Sequence, residues 1–238
     1  MFYDWLTYFW PQIQNPFTIQ NGIFNVPWLF ILLQPLRFLG PYGSVIVVEV
    51  ASVFVLIKLG KTLQLPVYRI VLVIFSPPVL FHIIMGQIDG LLMISYLVPS
   101  YLAAGLAFLK PQTTLGAGIQ AIRRRPLSLS IVIVLLATAW VIWDWPFSVT
   151  GLRSKVQLGF NTNLWIWSFW PIGIITLPLL FFRDRRGGMF ASPFIFPYAA
   201  VQSLVGPMLV VATLPIWVFL PIWVSVWIRW FYMMNFLP

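Results

Sequence analysis

Residues 42–59 read YGSVIVVEVASVFVLIKL, an eighteen-residue apolar run interrupted by one acid, Glu49, and closed by Lys58. At 1.5 Å per residue, an α-helix of that length covers about 27 Å, close to the roughly 30 Å hydrocarbon thickness of a bilayer. The rest of the chain has the same character. Of 238 residues, 61% are hydrophobic and 8% charged, with a mean hydropathy of +0.93, outside the range of an ordinary soluble domain. The composition therefore points to an all-α, polytopic transmembrane helical bundle. A spanning chain can satisfy its backbone in lipid only as helices or as a closed barrel, and no alternating ten-residue strand pattern occurs. The 13 Trp, 8 Tyr and 21 Phe suit interfacial belts, where an apolar ring meets lipid and a polar tip meets water. The net charge of +9 would suggest nucleic acid in a soluble protein, but in a membrane protein it first marks cytoplasmic loops, so nucleic acid is not expected as a partner. With no cysteine and one histidine, disulfides, thiolate metal sites, iron–sulfur clusters and histidine-rich metal sites are excluded. The opening residues MFYDWLTYFW (1–10) show no basic secretory leader.

Upstream of the run, NVPWLFILLQPLRFLG (25–40) is short and carries two prolines, which predicts a re-entrant or interfacial helix. Downstream, spans are predicted over 66–85, broken by Ser76, Pro77 and Pro78, over 89–109 with Pro99 in its middle, and over 127–142. A further span covers 164–182, and 193–229 holds two joined near Leu214 and Pro215. That makes about seven spans in a single integral membrane domain, with 1–41 as external loop and interfacial helix and 42–231 as the bundle. Placing Lys58, Lys61, Arg123, Arg124, Arg125, Arg183, Arg185, Arg186 and Arg229 inside gives a consistent alternation with a cytoplasmic C-terminus. Arg37, Arg153 and Lys155 are then the external exceptions. The run GAGIQA (116–121) matches a dinucleotide fingerprint only formally, since no strand precedes it.

Polar residues in such a chain need partners, because each buried polar atom without one costs several kcal/mol or so. Glu49, near the middle of its span, is either functional or paired with a polar neighbour. Asp144 reads as an interfacial acid and Asp184 as part of a basic stop. FHIIMGQIDGLLM (81–93) gathers His82, Gln87 and Asp89. On one continuous helix, His82, Gly86 and Asp89 would share a face, with His82 and Asp89 roughly 10 Å apart along the axis. Alternatively, Gly86 and Gly90 bracket an external junction between spans, with Asp89 as the N-cap of the next helix, which removes most of the burial cost. The topology places Asp4 and Asp89 at the outer face. Whether those two carboxylates share a divalent cation is left open.

The run GQIDGLL (86–92), followed by LAAGLAFLKPQ (102–112), RRR (123–125) and ASPFIFPY (191–198), resembles the polyprenyl-phosphate-dependent glycosyltransferases of the GT-C class, especially their bacterial mannosyltransferase-like branch. YDWLTYFWPQIQNPF (3–17) and NVPWLFILLQPLRFL (25–39) follow that family's order of an external-loop aspartate, a Tyr-containing segment and a Leu/Pro-rich helix. The resemblance implies sugar transfer from a polyprenyl-phosphate donor at the external face of a bacterial inner (plasma) membrane. Asp4 would be the general base or acceptor positioner. Lys110 would offer its cation to the phosphate leaving group, with Gln87 and Gln112 as hydrogen-bond partners. Asp89 would line the same substrate site, and Arg153 and Lys155 are second candidates for the phosphate. Membrane lipid, the lipid-linked sugar and other membrane proteins are the partners implied.

Two departures from the family pattern motivate a second reading. Asp4 is almost the first residue, where the family has a leading transmembrane helix. In addition, only nine residues (91–99) separate Gly90 from Ser100, about half a bilayer crossing. Either that segment folds back and returns Lys110 to Asp89, or one kinked helix crosses and separates them. The second reading is a shortened, catalytically inactive homologue serving as a structural or accessory subunit of a larger membrane complex.

Overall fold

Prolines such as Pro35, Pro66, Pro77, Pro99 and Pro111 cut this apolar chain into short helices, because proline lacks an N–H and disfavours helical geometry in the residue before it. A computed structural model describes residues 1–18, 25–145, 170–195 and 200–236. Among these, every regular element is helical. A π-helical turn, Trp5–Phe9, runs into α1 (Trp10–Gln14). Next, α2 (Trp28–Leu33) passes through a 3-10 turn at Gln34–Leu39 into α3 (Gly40–Thr62), so the predicted interfacial helix is two short pieces interrupted at Pro35. The pair α4 (Val67–Ile74) and α5 (Pro77–Met85) is bent by 51°, since Pro77 and Pro78 can open a helix but cannot continue one.

After α6 (Asp89–Leu92) and a 3-10 turn at Met93–Tyr96 come α7 (Ser100–Leu109), α8 (Pro111–Arg124) and α9 (Ser128–Trp143). The remaining described helices are α10 (Trp170–Thr176), which leads into a 3-10 turn at Leu177–Phe181, then α11 (Arg185–Ile195), α12 (Val205–Val211) and α13 (Ile216–Phe236). The predicted junction near Leu214 and Pro215 is the break between α12 and α13. There Arg69 donates to the carbonyls of Ala212 (2.8 Å) and Leu214 (2.6 Å), which the end of α12 leaves unpaired.

The helix predicted across 89–109 is not one element. The chain turns after Tyr96, and α7 runs back so that Lys110 returns to Asp89. Pro111 explains the second turn, between α7 and α8. It forces Lys110 out of helical geometry (φ −146°, ψ 74°), ending α7, and itself opens α8 at the first position. The two helices then lie antiparallel, with Thr114 donating to the Ala107 carbonyl at 2.8 Å and Ala103 and Ala104 clustered with Ala121.

On its far side α8 packs against α11 through a glycine crossing. A Cβ on Gly116 would stand 2.2 Å from the Gly188 Cα, so only glycine allows this approach. The Gly116 N–H donates to Ser192 Oγ at 2.9 Å across the same contact.

α3 shows how the core is divided. Val45, Val48, Ser52, Leu56 and Leu59 recur at helical spacing and are buried, while Ile46, Val50 and Phe54 face outward. Its first half joins a cluster with Trp5, Phe9, Ile13, Phe30, Ile88 and Trp143. Among the described residues before α3, Trp5, Phe9, Ile13, Leu29 and Phe30 are therefore packed into the core, while Phe38 and Leu39 are exposed. Its second half joins Ile70, Val73, Met93, Met189, Leu209 and Phe219. One helical stretch, Trp28–Thr62, is long and apolar enough to cross a bilayer, and the bent pair α4–α5 passes the same measure together.

Candidate functional site: a buried polar chain from Asp4 to Asp89

The GQIDG segment is built by its glycines. Gly86 adopts φ +69° and closes α5 with a paired C-terminal motif: Gln87 N–H donates to the His82 carbonyl at 3.0 Å and Gly86 N–H to that of Ile83 at 3.3 Å. This turn directs Gln87 away from α5. Gly90 lets the chain pass close to α3, since a Cβ there would meet His82 Nε2 and Ser52 Cβ, each at 2.9 Å. The junction between α5 and α6 forms at Gly86, but His82, Gln87 and Asp89 are all buried there, so it does not remove their burial cost. Nor is Asp89 an N-cap, since it is the first residue of α6 and its side chain makes no capping bond.

The Asp89 carboxylate is met instead by three donors from distant parts of the chain. Lys110 Nζ lies 2.6 Å from Oδ2, while Oδ1 accepts from the hydroxyls of Thr113 and, at 3.2 Å, Ser203. Asp89 is 0% exposed and Lys110 4%, so this is an ion pair withdrawn from solvent. Such a pair persists only when its remaining polar atoms are also met, and here they are.

Lys110 also donates to Gln87 Oε1 at 2.8 Å, and Gln87 Nε2 donates to Asp4 Oδ2. An ammonium can only donate, so the amide oxygen must face Lys110. That leaves the amide N–H group for the carboxylate of Asp4. The result is one directed chain, Asp89–Lys110–Gln87–Asp4, running from a sealed interior to a half-buried acid.

Asp4 itself is anchored. Phe2 N–H donates to the Ile84 carbonyl at 2.6 Å, Trp5 is fully buried with Nε1 donating to Ser44 Oγ at 3.1 Å, and Trp5 stacks on Phe9. Burial, followed by the neighbouring Tyr3 and the Asp4 charge, raises the Tyr8 hydroxyl above its usual range.

Of the residues singled out from sequence, Asp4, Gln87, Asp89 and Lys110 are brought together. Gln112 is buried in the first turn of α8, two residues from Lys110, but is not a member of the hydrogen-bonded chain. Arg153 and Lys155 lie outside the described residues. Thr113 and Ser203 were not anticipated. Thr113 is detectable in principle, being three residues after Lys110 on the turn that Pro111 starts, whereas nothing local marks Ser203. Glu49 finds its polar neighbour in His82, with Nε2 and Oε2 3.1 Å apart at ion-pair distance but without hydrogen-bond geometry. The ammonium of Lys110 holds the place beside Asp89 that a divalent cation shared with Asp4 would need, so these residues do not fit that ion.

No family model matches the chain, and searches of the curated proteins and of the solved structures return no match.

Proposed function

We propose that this protein is a membrane-embedded GT-C-like glycosyltransferase that moves a sugar from a polyprenyl-phosphate donor to a hydroxyl acceptor at the external face. The observation that carries this reading is that Asp4, the acid the family resemblance assigns as base, is half-buried, anchored, and held by an amide whose orientation Lys110 dictates. Positioning is most of what a general base contributes. In the reaction, the acceptor oxygen attacks the anomeric carbon as its proton passes to Asp4. The bond from that carbon to the phosphate oxygen breaks, and polyprenyl phosphate leaves with the electron pair. Lys110 acts here through Gln87 as a positioning residue, because its charge is compensated by Asp89. The leaving phosphate then falls to Arg153 and Lys155.

Two features support the membrane part of the proposal. The outward faces of α3, α9 and α13 carry exposed Ile46, Phe54, Val134, Trp140, Val141 and Trp217, a surface suited to lipid rather than water. In addition, the helical stretch Trp28–Thr62 is long and apolar enough to cross a bilayer.

A second reading, the catalytically inactive subunit of a larger membrane complex, is favoured by the same ion pair seen as a pin. Lys110 and Asp89 compensate each other and hold α6, α8 and the Ser203 turn together without a substrate. Turnover separates the two. Reconstituted in proteoliposomes with labelled polyprenyl-phosphate sugars, an enzyme releases polyprenyl phosphate and glycosylates an added acceptor. A folded protein that turns over no lipid donor is the accessory subunit.

A further inference from the structure

The Gly116–Gly188 crossing has an effect at the far end of α8. It brings two arginine-rich stretches, 123–125 and 183–186, against one another, so that six arginines and a single acid, Asp184, gather at that end. Gln120 fastens the seam by donating to the Asp184 carbonyl at 2.9 Å. Between the stretches lies a cleft of about 360 Å³, lined by Gln120, Arg123, Arg124, Phe182 and Arg183.

The arginines there are not equivalent. Arg123 donates to the Phe181 carbonyl, Arg185 to that of Tyr96 at 3.2 Å, and Arg186 stands 3.5 Å from Asp184. Arg124 and Arg183 have no hydrogen-bond or ion-pair partner among the described residues, and both line the cleft. Two free guanidiniums in one concavity match the fork geometry with which arginine binds phosphate oxygens. Phe182 in the lining and its neighbour Phe181 are exposed beside the charges.

We infer that this cleft binds a phosphate group, held by Arg124 and Arg183, at the end of α8 opposite Asp4. Its chemistry is that of a phosphodiester or phosphomonoester, and the exposed rings of Phe181 and Phe182 favour a lipid headgroup, whose acyl chains would lie along them, over a soluble phosphate. The inference does not depend on the transferase reading.

The test compares the parent protein with Arg124→Gln/Arg183→Gln in detergent, reading binding from the rise in Tm on titration with phosphatidylglycerol, phosphatidylcholine or inorganic phosphate. Phosphatidylglycerol is expected to stabilise the parent, to weaken with added salt, and to bind the double variant about tenfold less tightly, as the loss of two charge contacts predicts. Phosphatidylcholine should act more weakly. The variant should melt like the parent without ligand, because neither side chain has a protein partner. If it does not fold, Arg124→Lys, which keeps the charge but loses the fork, should show a smaller loss. An arginine-dependent shift with inorganic phosphate alone would keep the site and assign a soluble phosphate. Equal phosphatidylglycerol binding by parent and double variant, or no shift with any probe, would overturn the inference.

Discussion

At the scale of residues, the account rests on charges that hold one another in place. Removing the Lys110 ammonium while leaving Asp89 strands a buried carboxylate, at a cost of about 3–5 kcal/mol. Lys110→Met should therefore lower Tm sharply, and Asp89→Asn added to it should restore much of the loss because no charge is left uncompensated. A Lys110→Met protein melting like the parent would show that the pair is not buried as described. Gln87→Ala removes the amide between Lys110 and Asp4 and leaves the ion pair intact. It should reduce kcat by more than it changes Tm, which separates positioning from folding. The members of this chain were legible as polar residues in an apolar sequence, each too costly to bury without reason. Their partners were not, because Asp89 is satisfied by Thr113 and Ser203, 24 and 114 residues away, and Glu49 stands at ion-pair distance from His82 on another helix. Hydropathy registers that a polar atom needs a partner without indicating which one.

At the scale of elements, prolines and close-packed glycines decide the path. The apolar runs marked most of the helices, and Pro77 and Pro78 marked the bend in the second. The reversal at 97–99 was visible only as an alternative, since a Pro99 kink is compatible with a crossing helix as well as with a hairpin. What selects the hairpin is tertiary: α7 and α8 pack through alanines, and Lys110 returns to Asp89. The α8–α11 crossing makes a sharp prediction. With Gly188 backbone 2.2 Å from the position of a new Cβ, Gly116→Ala should destabilise by about 1–3 kcal/mol. Gly105→Ala, whose Cβ would find only ordinary contacts at 3.5 Å, should be neutral. Equal Tm values for the two variants would deny the crossing.

At the scale of the whole molecule, the two polar features occupy opposite ends of α8, with Asp4 and its chain at one and the arginine cleft at the other. If α8 stands across the membrane, these ends face different compartments. The chain contains no cysteine, so a single introduced thiol reports its side directly. Tyr3→Cys should react with an impermeant maleimide in intact cells, and Arg125→Cys only after permeabilisation. Labelling of both from one side would remove the proposed topology. Composition made the helical, apolar class legible, and the number of crossings is where the chain's many breaks obscure the count. The most direct measurement of the central claim is turnover of a polyprenyl-phosphate sugar by the reconstituted Asp4→Asn variant. The account predicts a loss of about 10²–10⁴-fold relative to the parent, with Tm unchanged, as expected for removal of a positioned base. Activity within about twofold of the parent would contradict a role for Asp4 as general base.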